Sequence, residues 1–179
     1  MAAAPLSLKA RALQWLAQRE HSRVELQRKL LRLARQRAAE RADASSDTGD
    51  EDPTAGVAAE VDVLLDWLAT NRYLSDTRFV ESRVNARASR YGNLRIRQEL
   101  GQHGAALDPA TAEQLKDSEL ARARAVWARK YGDVAGGARA AGTAVERARQ
   151  MRFLAGRGFS AEVIRRVVRD GVAVPDERT

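Results

Sequence analysis

A short pattern that returns three times along the chain constrains its fold most. Each copy has a ring-bearing residue followed by a small one, and then apolar residues four and eight positions after the small one. A small residue favours a break or a cap before a helix, and positions four apart lie on one helical face. The pattern therefore predicts a chain built from copies of one helical unit. The copies are His21-Ser22 with Leu26 and Leu30, Tyr91-Gly92 with Ile96 and Leu100, and Phe159-Ser160 with Ile164 and Val168.

The spacing between the copies indicates that each unit is larger than a pair of helices. The small residues Ser22, Gly92 and Ser160 are separated by 70 and then by 68 residues, which leaves room for a connecting helix and loops in each copy. Units of this size bury a core only by packing against their neighbours. We therefore predict a linked array of helical units rather than one globule.

Helical spacing of apolar residues also occurs between the copies. The clearest case has the 4-3-4 spacing of an amphipathic helix and consists of Val57, Val61, Leu64 and Leu68. Only the brief Val172-Ala173-Val174 suggests a strand, so we predict an all-α fold. The predicted helices run from Leu6 to Arg19, from Ser22 to about Arg41, across 57–68, from Ser75 or Asp76 to about Arg90, from Gly92 to Gln102, from Asp108-Pro109 to Tyr131, from Thr143 to Ala155 and from Ser160 to Asp170.

The charge of the chain predicts an anionic partner. The formal net charge is +7, and residues 42–56 hold five acids and no base, so the rest of the chain carries +12. Such a charge attracts a polyanion or an acidic protein. Of the 31 basic residues 27 are arginine, whose planar fork pairs with carboxylate or phosphate. The high ratio of arginine to lysine equally fits a GC-rich genome.

The acidic segment 42–56 is predicted to be a disordered loop. It is composed of Ser, Thr, Gly, Pro, Asp, Glu and Ala, with no large apolar residue, so it cannot offset the entropy of ordering. A solvated spacer is the simpler interpretation. The alternative is that the segment mimics a nucleic-acid backbone and covers a basic surface until a partner displaces it.

The sequence gives no pattern typical of a catalytic centre. There is no cysteine, and His21 and His103 lie in different copies with no motif that joins them to carboxylates. His21 is predicted to fill the packing position of Tyr91 and Phe159. Carboxylates mostly stand beside arginines on helical faces, where solvated ion pairs are the ordinary outcome. We predict no enzymatic activity, no metal and no cofactor.

The chain also lacks a signal-like segment and any run of the roughly 18 apolar residues that a membrane span needs. The cytoplasm is therefore the expected location, without a membrane partner. The chain shows no aromatic stacking platform for bases and no obvious recognition helix.

Arginines recur beside the repeated helix in every copy. On the second helix they fall opposite the apolar stripe of Leu26, Leu30 and Leu33. A solvated charged face explains any one such stripe, but recurrence in three copies favours an extended binding surface. The predicted partner-binding residues are Arg28, Arg32 and Arg35 in the first copy, Arg83, Arg87, Arg90, Arg95 and Arg97 in the second, and Arg165, Arg166 and Arg169 in the third.

Four segments resemble the bacterial regulatory protein family RecX, in the order in which that family has them, and together they span nearly the whole chain. The most specific parts are the Tyr-Leu-Ser-Asp-x-Arg-Phe run ending at Phe79 and the Arg-Gly-Phe run ending at Phe159. The chain departs from the family in the acidic insert after the second helix, where the family has a shorter connection. The four segments are 16–30 (LAQREHSRVELQRKL), 64–79 (LLDWLATNRYLSDTRF), 92–100 (GNLRIRQEL) and 152–160 (RFLAGRGFS).

The resemblance implies tandem three-helix repeats, helix-turn-helix-like, in an elongated curved array. It implies a modulator, usually an inhibitor, of the RecA recombinase that lies in the groove of the RecA filament on single-stranded DNA, with a role in recombination, DNA repair and the SOS response. RecA filaments are the expected partner, single-stranded DNA is a second one, and a monomer is expected. The predicted organisation is a truncated first repeat at 6–41, the acidic loop 42–56, a second repeat at 57–104, a third at 105–172 and a polar tail at 173–179.

Two other functions remain open at this point. A general basic helical nucleic-acid-binding protein needs only the charge, and salt-sensitive DNA binding without any dependence on RecA would favour it. A scaffold whose charge is merely compositional would bind neither RecA filaments nor DNA, even at low salt.

Overall fold

The computed structural model describes residues 6–44, 56–132 and 143–170, and in these ranges it contains eight helices and no strand. The all-α prediction is confirmed. The helices are α1 (Leu8–Gln18), α2 (Arg23–Ala44), α3 (Val57–Thr70), α4 (Asp76–Ala88), α5 (Asn93–Gln102), α6 (Pro109–Tyr131), α7 (Ala144–Gly156) and α8 (Ala161–Asp170).

Side-chain caps explain where several of the helices begin. The Ser22 hydroxyl accepts a hydrogen bond from the main-chain N–H of Glu25 at 3.1 Å, as predicted for the start of α2. Ser75, rather than Asp76, caps α4, because its hydroxyl accepts from the N–H of Arg78 at 3.3 Å. Asp108 and Thr143 cap α6 and α7 in the same way.

All but one of the helix ends lie within two residues of the predicted bounds, and two of the differences have a local cause. Helix α1 begins at Leu8 rather than Leu6, because the hydroxyl of Ser7 caps it. Helix α2 continues to Ala44, three residues into the segment predicted to be a disordered loop, and alanines at this end of the helix favour the continuation. The predictions for the remainder of that loop, for the strand-like run at 172–174 and for the tail at 173–179 lie outside the described residues.

The chain forms two compact units. The first takes in the described residues up to Val80 together with His103–Ala105, and the second takes in Glu81–Gln102 and the described residues from Ala106 onward. In the first unit, the apolar faces of α1, α2 and α3 enclose one core. Its fully buried side chains are Ala12, Leu26, Leu30, Val61, Leu65 and Leu68. The burial predicted for Leu26, Leu30, Val61 and Leu68 is confirmed, whereas Leu33 and Leu64 are only half-buried and Leu65 takes the fully buried position on α3.

The second unit is centred on the packing of α6, α7 and α8. Helix α8 brings its apolar face to the other two helices, and its one-sided pattern of buried and exposed positions is that of an amphipathic helix. The core contains Ala123 and Val126 from α6, Leu154 from α7, and Phe159, Ile164, Val167 and Val168 around α8.

A close backbone junction joins two copies of the repeated motif within the second unit. The N–H of Gly92 donates to the carbonyl of Arg157 at 2.9 Å, and the N–H of Leu94 donates to the carbonyl of Gly158 at 3.1 Å. A Cβ at position 92 would lie 2.2 Å from the carbonyl oxygen of Gly158. The turn before α5 can therefore approach the turn before α8 only because residue 92 has no side chain.

Gly158 has a conformational role at the same junction, because it ends α7. It has a φ of +80°, its N–H bonds the carbonyl of Ala155, and the N–H of Phe159 bonds the carbonyl of Leu154. These two bonds form a Schellman motif, in which glycine is the favoured left-handed residue. Gly158 therefore ends α7, within one residue of the helix end predicted at Ala155.

Candidate partner-binding surfaces

The arginines of α2 lie on the solvent side of the first unit. Arg28, Arg32 and Arg35 are all exposed, whereas Leu26 and Leu30 on the opposite side of the helix are fully buried. The separation of basic and apolar stripes that the spacing predicts is therefore present. We call these three arginines the α2 stripe, and their role in binding stays a prediction.

The arginines of α8 form a comparable surface in the second unit. Arg165, Arg166 and Arg169 are exposed, and the carboxylate of Asp170 lies 3.7 Å from the guanidinium of Arg169. The Asp170 carboxylate also accepts a hydrogen bond from Arg124 at 2.7 Å, so its charge is shared between two guanidinium groups. A basic surface therefore remains on this helix.

Two of the arginines predicted for the middle copy are engaged within the protein. Arg83 and Arg87 on α4 both donate to the same Glu99 oxygen on α5, at 3.2 Å and 3.0 Å, and both are half-buried. Their charges are partly compensated by Glu99. Arg90, Arg95 and Arg97 are exposed, so the basic surface of this copy lies around the turn between α4 and α5 rather than along α4.

A group of alternating cations and aromatic rings lies on the second unit. The Arg95 guanidinium lies 4.7 Å from the centre of the Tyr91 ring, and Arg157 lies 5.6 Å from Tyr91 and 5.2 Å from the centre of the Phe153 ring. The Lys130 ammonium lies 4.1 Å from the Phe153 ring. We call Arg95, Tyr91, Arg157, Phe153 and Lys130 the cation–aromatic strip. Sequence spacing did not reveal this grouping of rings and cations.

A pocket of about 260 Å³ opens beside the strip. Four of its lining side chains are cationic and none is acidic. The guanidinium of Arg129 is held by a hydrogen bond to the carbonyl of Ser89 at 2.8 Å, and that of Arg157 lies 3.4 Å from the carbonyl of Arg90. The pocket is lined by Ser89, Arg90, Val126, Arg129, Lys130, Phe153 and Arg157. Of these, only Arg90 was predicted as a site residue.

A polar network under the turn between α4 and α5 holds this surface in place. The half-buried guanidinium of Arg122 donates to the carbonyl of Tyr91 at 2.8 Å and to the carbonyl of Ala88 at 3.2 Å. Burial lowers the pKa of Arg122, and the nearby Glu119 carboxylate opposes that shift. The main chain of Tyr91, whose ring lies between Arg95 and Arg157 in the strip, is therefore held by a side chain of α6.

Glu119 is the buried acid of this network, and only 5% of its surface is exposed. One of its carboxylate oxygens accepts from the N–H of Asn93 at 3.0 Å, and the other accepts from the hydroxyl of Ser160 at 3.0 Å. Asn93 and Ser160 stand at the beginnings of α5 and α8, where main-chain N–H groups favour a negative charge. Glu119 thus differs from the solvated ion pairs expected of the carboxylates.

The ring position of the first copy is occupied by a buried histidine. His21 has 2% of its surface exposed and Phe159 is buried too, whereas Tyr91 is half-exposed. The prediction of a shared packing position therefore holds for His21 and Phe159 and is wrong for Tyr91. Burial lowers the pKa of His21, because a charged imidazole loses its hydration there, and the neighbouring Glu25 carboxylate offsets the shift only in part.

Glu25 is the charge centre of this cluster in the first unit. Burial alone raises the pKa of Glu25, but the hydrogen bonds from Arg19 and the charges of His21 and Arg19 outweigh burial and leave the pKa below its usual range. Nδ1 of His21 lies 3.2 Å and Nδ1 of His103 lies 3.9 Å from its carboxylate oxygens.

The first unit is expected to lose stability as the pH falls below the usual histidine value of about 6.5. The folded state disfavours the protonated His21, so the stability that the neutral ring provides is present above that pH and is lost as the pH falls toward the lowered pKa. The slope cannot exceed about 1.4 kcal/mol per pH unit for this one proton. The change His21→Phe, which copies Phe159, should flatten the fall in Tm between about pH 7.5 and pH 5.5.

The control for this prediction is His103→Gln, which removes the half-exposed histidine of the cluster and should leave most of the fall in place. Thermal unfolding followed by circular dichroism at each pH gives the slopes. An unchanged slope in His21→Phe would contradict the assignment of the pH dependence to His21.

Within 6–44, 56–132 and 143–170, no group of three or more His, Cys, Asp or Glu side chains is arranged to hold a metal ion. In the same ranges, the helices are too short or too polar for any of them to span a bilayer. The described surfaces carry exposed arginine and lysine side chains and half-exposed rings, and guanidinium groups are suited to pairing with carboxylate or phosphate.

Comparison with known proteins agrees with this architecture. Two family models match the chain: "RecX, second three-helix domain" over residues 75–113 and "RecX, third three-helix domain" over residues 117–168. The chain is 44% identical over 176 residues to the "Regulatory protein RecX" of Ralstonia nicotianae, which covers 97% of this chain and 93% of that protein.

Two further relatives carry the same name. The protein of Ralstonia pickettii is 43% identical over 166 residues, with 92% of this chain and 87% of the relative covered. The protein of Herminiimonas arsenicoxydans is 43% identical over 173 residues, with 94% and 95% covered. These relatives are named as regulatory proteins rather than as enzymes. The family models match two three-helix domains of this chain, and the relatives match it along nearly its whole length. The chain therefore belongs to the RecX family of regulatory proteins.

Proposed function

We propose that this protein binds RecA filaments on single-stranded DNA and modulates them, chiefly by inhibiting the RecA ATPase, filament extension and strand exchange. Family membership supports a regulatory role. The observation that carries the proposal is the set of exposed arginines on α2, around the turn between α4 and α5, and on α8. We further propose that the protein acts as a monomer in the cytoplasm, with repeats at 6–41, 57–104 and 105–172.

The distribution of these arginines sets the character of the binding. Basic groups lie in both compact units, so several modest contacts with a polyanionic or acidic surface act together. Linked contacts raise one another's effective concentration, and overall avidity exceeds that of any single contact. Exposed charges are screened by salt over about 10 Å at 0.1 M. Binding to the filament is therefore expected to weaken steeply as salt is added.

The α2 stripe can be tested directly for a contribution to binding of the RecA filament. The triple change Arg28→Ala, Arg32→Ala and Arg35→Ala should weaken binding to preassembled RecA filaments by about tenfold, because three exposed cations at about 0.5 kcal/mol each are removed. Fluorescence anisotropy of the labelled protein, titrated with RecA on single-stranded DNA, measures the affinity. Circular dichroism checks that α2 stays helical, as alanine should ensure.

Two comparisons make this test specific. Replacing the same three arginines by lysine keeps the charge and removes the planar fork, so an intermediate loss is expected where bidentate pairing contributes. The single changes should each cost less than the triple change. Full affinity of the alanine triple variant would place the filament contact on another surface.

A general nucleic-acid-binding protein is the second candidate, and the cation–aromatic strip is the observation that favours it. Stacked rings and guanidinium groups are the usual components of surfaces that bind single strands. The two candidates differ in their dependence on RecA. Equal affinity for bare single-stranded DNA and for the RecA filament, with no effect on RecA activity, would favour the second.

A further inference from the structure

We propose that the cation–aromatic strip and the basic pocket beside it form a binding site for single-stranded DNA, with phosphates at the cations and bases against the ring and guanidinium faces. The inference rests on the proposed role at RecA filaments on single-stranded DNA, and it names the surface that contacts the strand. The strip combines residues from the turn between α4 and α5, from α5, from the end of α6, and from α7 and the turn after it.

The order of chemical groups along the strip is the first argument. Arg95, Tyr91, Arg157, Phe153 and Lys130 alternate cation with ring, and each neighbouring pair is separated by 4.1–5.6 Å. A single strand presents charged phosphates and flat bases at regular intervals along one path. Proteins that bind single strands combine a positive groove for the backbone with aromatic faces for the bases.

The second argument is that no carboxylate of the described residues pairs with the arginines of the strip or with Arg129 of the pocket beside it, so their positive charge is available to a ligand. In the part of the chain that the structure describes, the hydrogen bonds of Arg95, Arg129 and Arg157 go to main-chain carbonyls rather than to carboxylates. This contrasts with Arg83 and Arg87, which share the Glu99 carboxylate. Carbonyl bonds orient a guanidinium without cancelling its charge, so the strip is prepared for an anion.

The third argument is that the surface is preorganised. The turn that holds Tyr91 is fixed to the turn that holds Arg157 by the bond from Gly92 N–H to the Arg157 carbonyl. Below that turn, Arg122 bonds the carbonyl of Tyr91. A site whose side chains need little ordering on binding loses less conformational entropy, which favours affinity.

The rings distinguish single-stranded DNA from an acidic peptide. A carboxylate-rich segment would use the four cations of the pocket but has no flat group to stack on Tyr91 or on the guanidinium groups. Bases have such faces in every sequence, so stacking here is expected to be tolerant of sequence. The site should prefer a single strand to a duplex, in which the bases are already stacked.

The test measures binding of a fluorescent oligo(dT) of about 15 nucleotides, a length typical of such sites, by anisotropy at low salt without RecA. The triple change Arg129→Ala, Lys130→Ala and Arg157→Ala should lower the affinity at least about tenfold. It should also reduce the slope of log affinity against log salt by about 2, since each lost phosphate contact on a single strand contributes about 0.7. A second variant, Tyr91→Leu, removes a ring and keeps every charge, and it should weaken binding severalfold with the slope unchanged.

The matched control is the triple change Lys116→Ala, Arg124→Ala and Arg149→Ala, which removes the same charge from exposed positions of α6 and α7 outside the strip. It should lower the affinity for oligo(dT) much less than the triple change at Arg129, Lys130 and Arg157 does. Equal losses in the two triple variants would show a diffuse charge effect and overturn the proposal. Competition by poly-glutamate as strong as that by oligo(dT) would also overturn it, in favour of an acidic peptide.

A parallel measurement of RecA ATPase separates this inference from the proposed function. The triple change at Arg129, Lys130 and Arg157 can abolish oligo(dT) binding while the unmodified protein has no effect on RecA. This result would support the DNA-binding site and contradict the proposed RecA role. Conversely, the unmodified protein can inhibit RecA while the folded triple variant binds oligo(dT) as well as the unmodified protein does. This result would contradict the DNA-binding site and leave the RecA role in place. The Tm of each variant establishes that it is folded.

Discussion

Replacing Gly92 by alanine is expected to destabilise the second unit by about 3 kcal/mol or more. The new Cβ would lie 2.2 Å from the carbonyl oxygen of Gly158 and 2.3 Å from the main-chain nitrogen of Phe159, and main-chain atoms cannot swing aside as a side chain can. Relief of the overlap separates the two turns and breaks their two hydrogen bonds, so overpacking and lost bonds both contribute. Thermal unfolding should show a Tm lower by roughly 10 °C or more.

Gly101 offers a control for this change within the neighbouring helix. It lies in α5, and a Cβ there would meet nothing within 4 Å. The change Gly101→Ala should therefore leave the Tm unchanged or raise it, since alanine is favoured over glycine inside a helix by up to about 1 kcal/mol. A Gly92→Ala variant as stable as the Gly101→Ala variant would show that the two turns do not pack as closely as described.

Removing the buried carboxylate of Glu119 is expected to cost about 3–5 kcal/mol. In Glu119→Ala, the N–H of Asn93 and the hydroxyl of Ser160 lose their acceptor, and the half-buried Arg122 loses the negative charge that partly offsets the effect of its burial. Unpaired buried polar groups carry the full cost of their lost hydration. Chemical denaturation monitored by tryptophan fluorescence, with the partly buried Trp127 packed against the core of this unit as a reporter, measures the loss.

Two variants on α6 make the result specific to the buried network. Glu119→Gln keeps one carbonyl oxygen for the N–H of Asn93 and should cost less than the alanine change. Glu113→Ala removes an exposed acid from the same helix, which pairs with Lys116 at the surface, and should change stability by less than about 1 kcal/mol. Equal effects of Glu113→Ala and Glu119→Ala would refute the structural role of Glu119.

Local features were accessible from the sequence because the residues that form them are close in the chain. Ser22 caps α2 and Leu26 and Leu30 are buried, as the repeated pattern predicts, since caps and one-sided burial follow from spacing within a single helix. The end of α7, predicted at Ala155, is equally local, because Gly158 just after it adopts the left-handed conformation that terminates a helix.

The cation–aromatic strip was not accessible in this way, because its members come from separate parts of the chain. Tyr91 and Phe153 are brought near each other by the junction of Gly92 with Gly158, which is a tertiary contact. No periodicity within one helix encodes such a contact. The single available signal was the recurrence of a glycine or serine after the ring residue, which marks both turns but does not show that they meet.

Sequence spacing was least successful in predicting which charged side chains are exposed to solvent and which are paired or buried. Arg83 and Arg87 have the same spacing as the exposed α2 stripe, yet Glu99 on α5 engages both. Glu119 stands among arginines in sequence and was expected to be solvated, yet it lies under the beginnings of α5 and α8. Whether a charge is solvated, paired or buried depends on the helix that packs against it.

The most direct test of the proposed function is the DNA-dependent ATPase of RecA preassembled on single-stranded DNA, titrated with the unmodified protein. The account predicts a progressive fall in ATPase activity, and the concentration needed should rise with added salt because the contacts are made by exposed arginines. ATPase activity that stays constant up to equimolar protein, while the protein still binds single-stranded DNA, would contradict a role in RecA regulation and leave general nucleic-acid binding as the function.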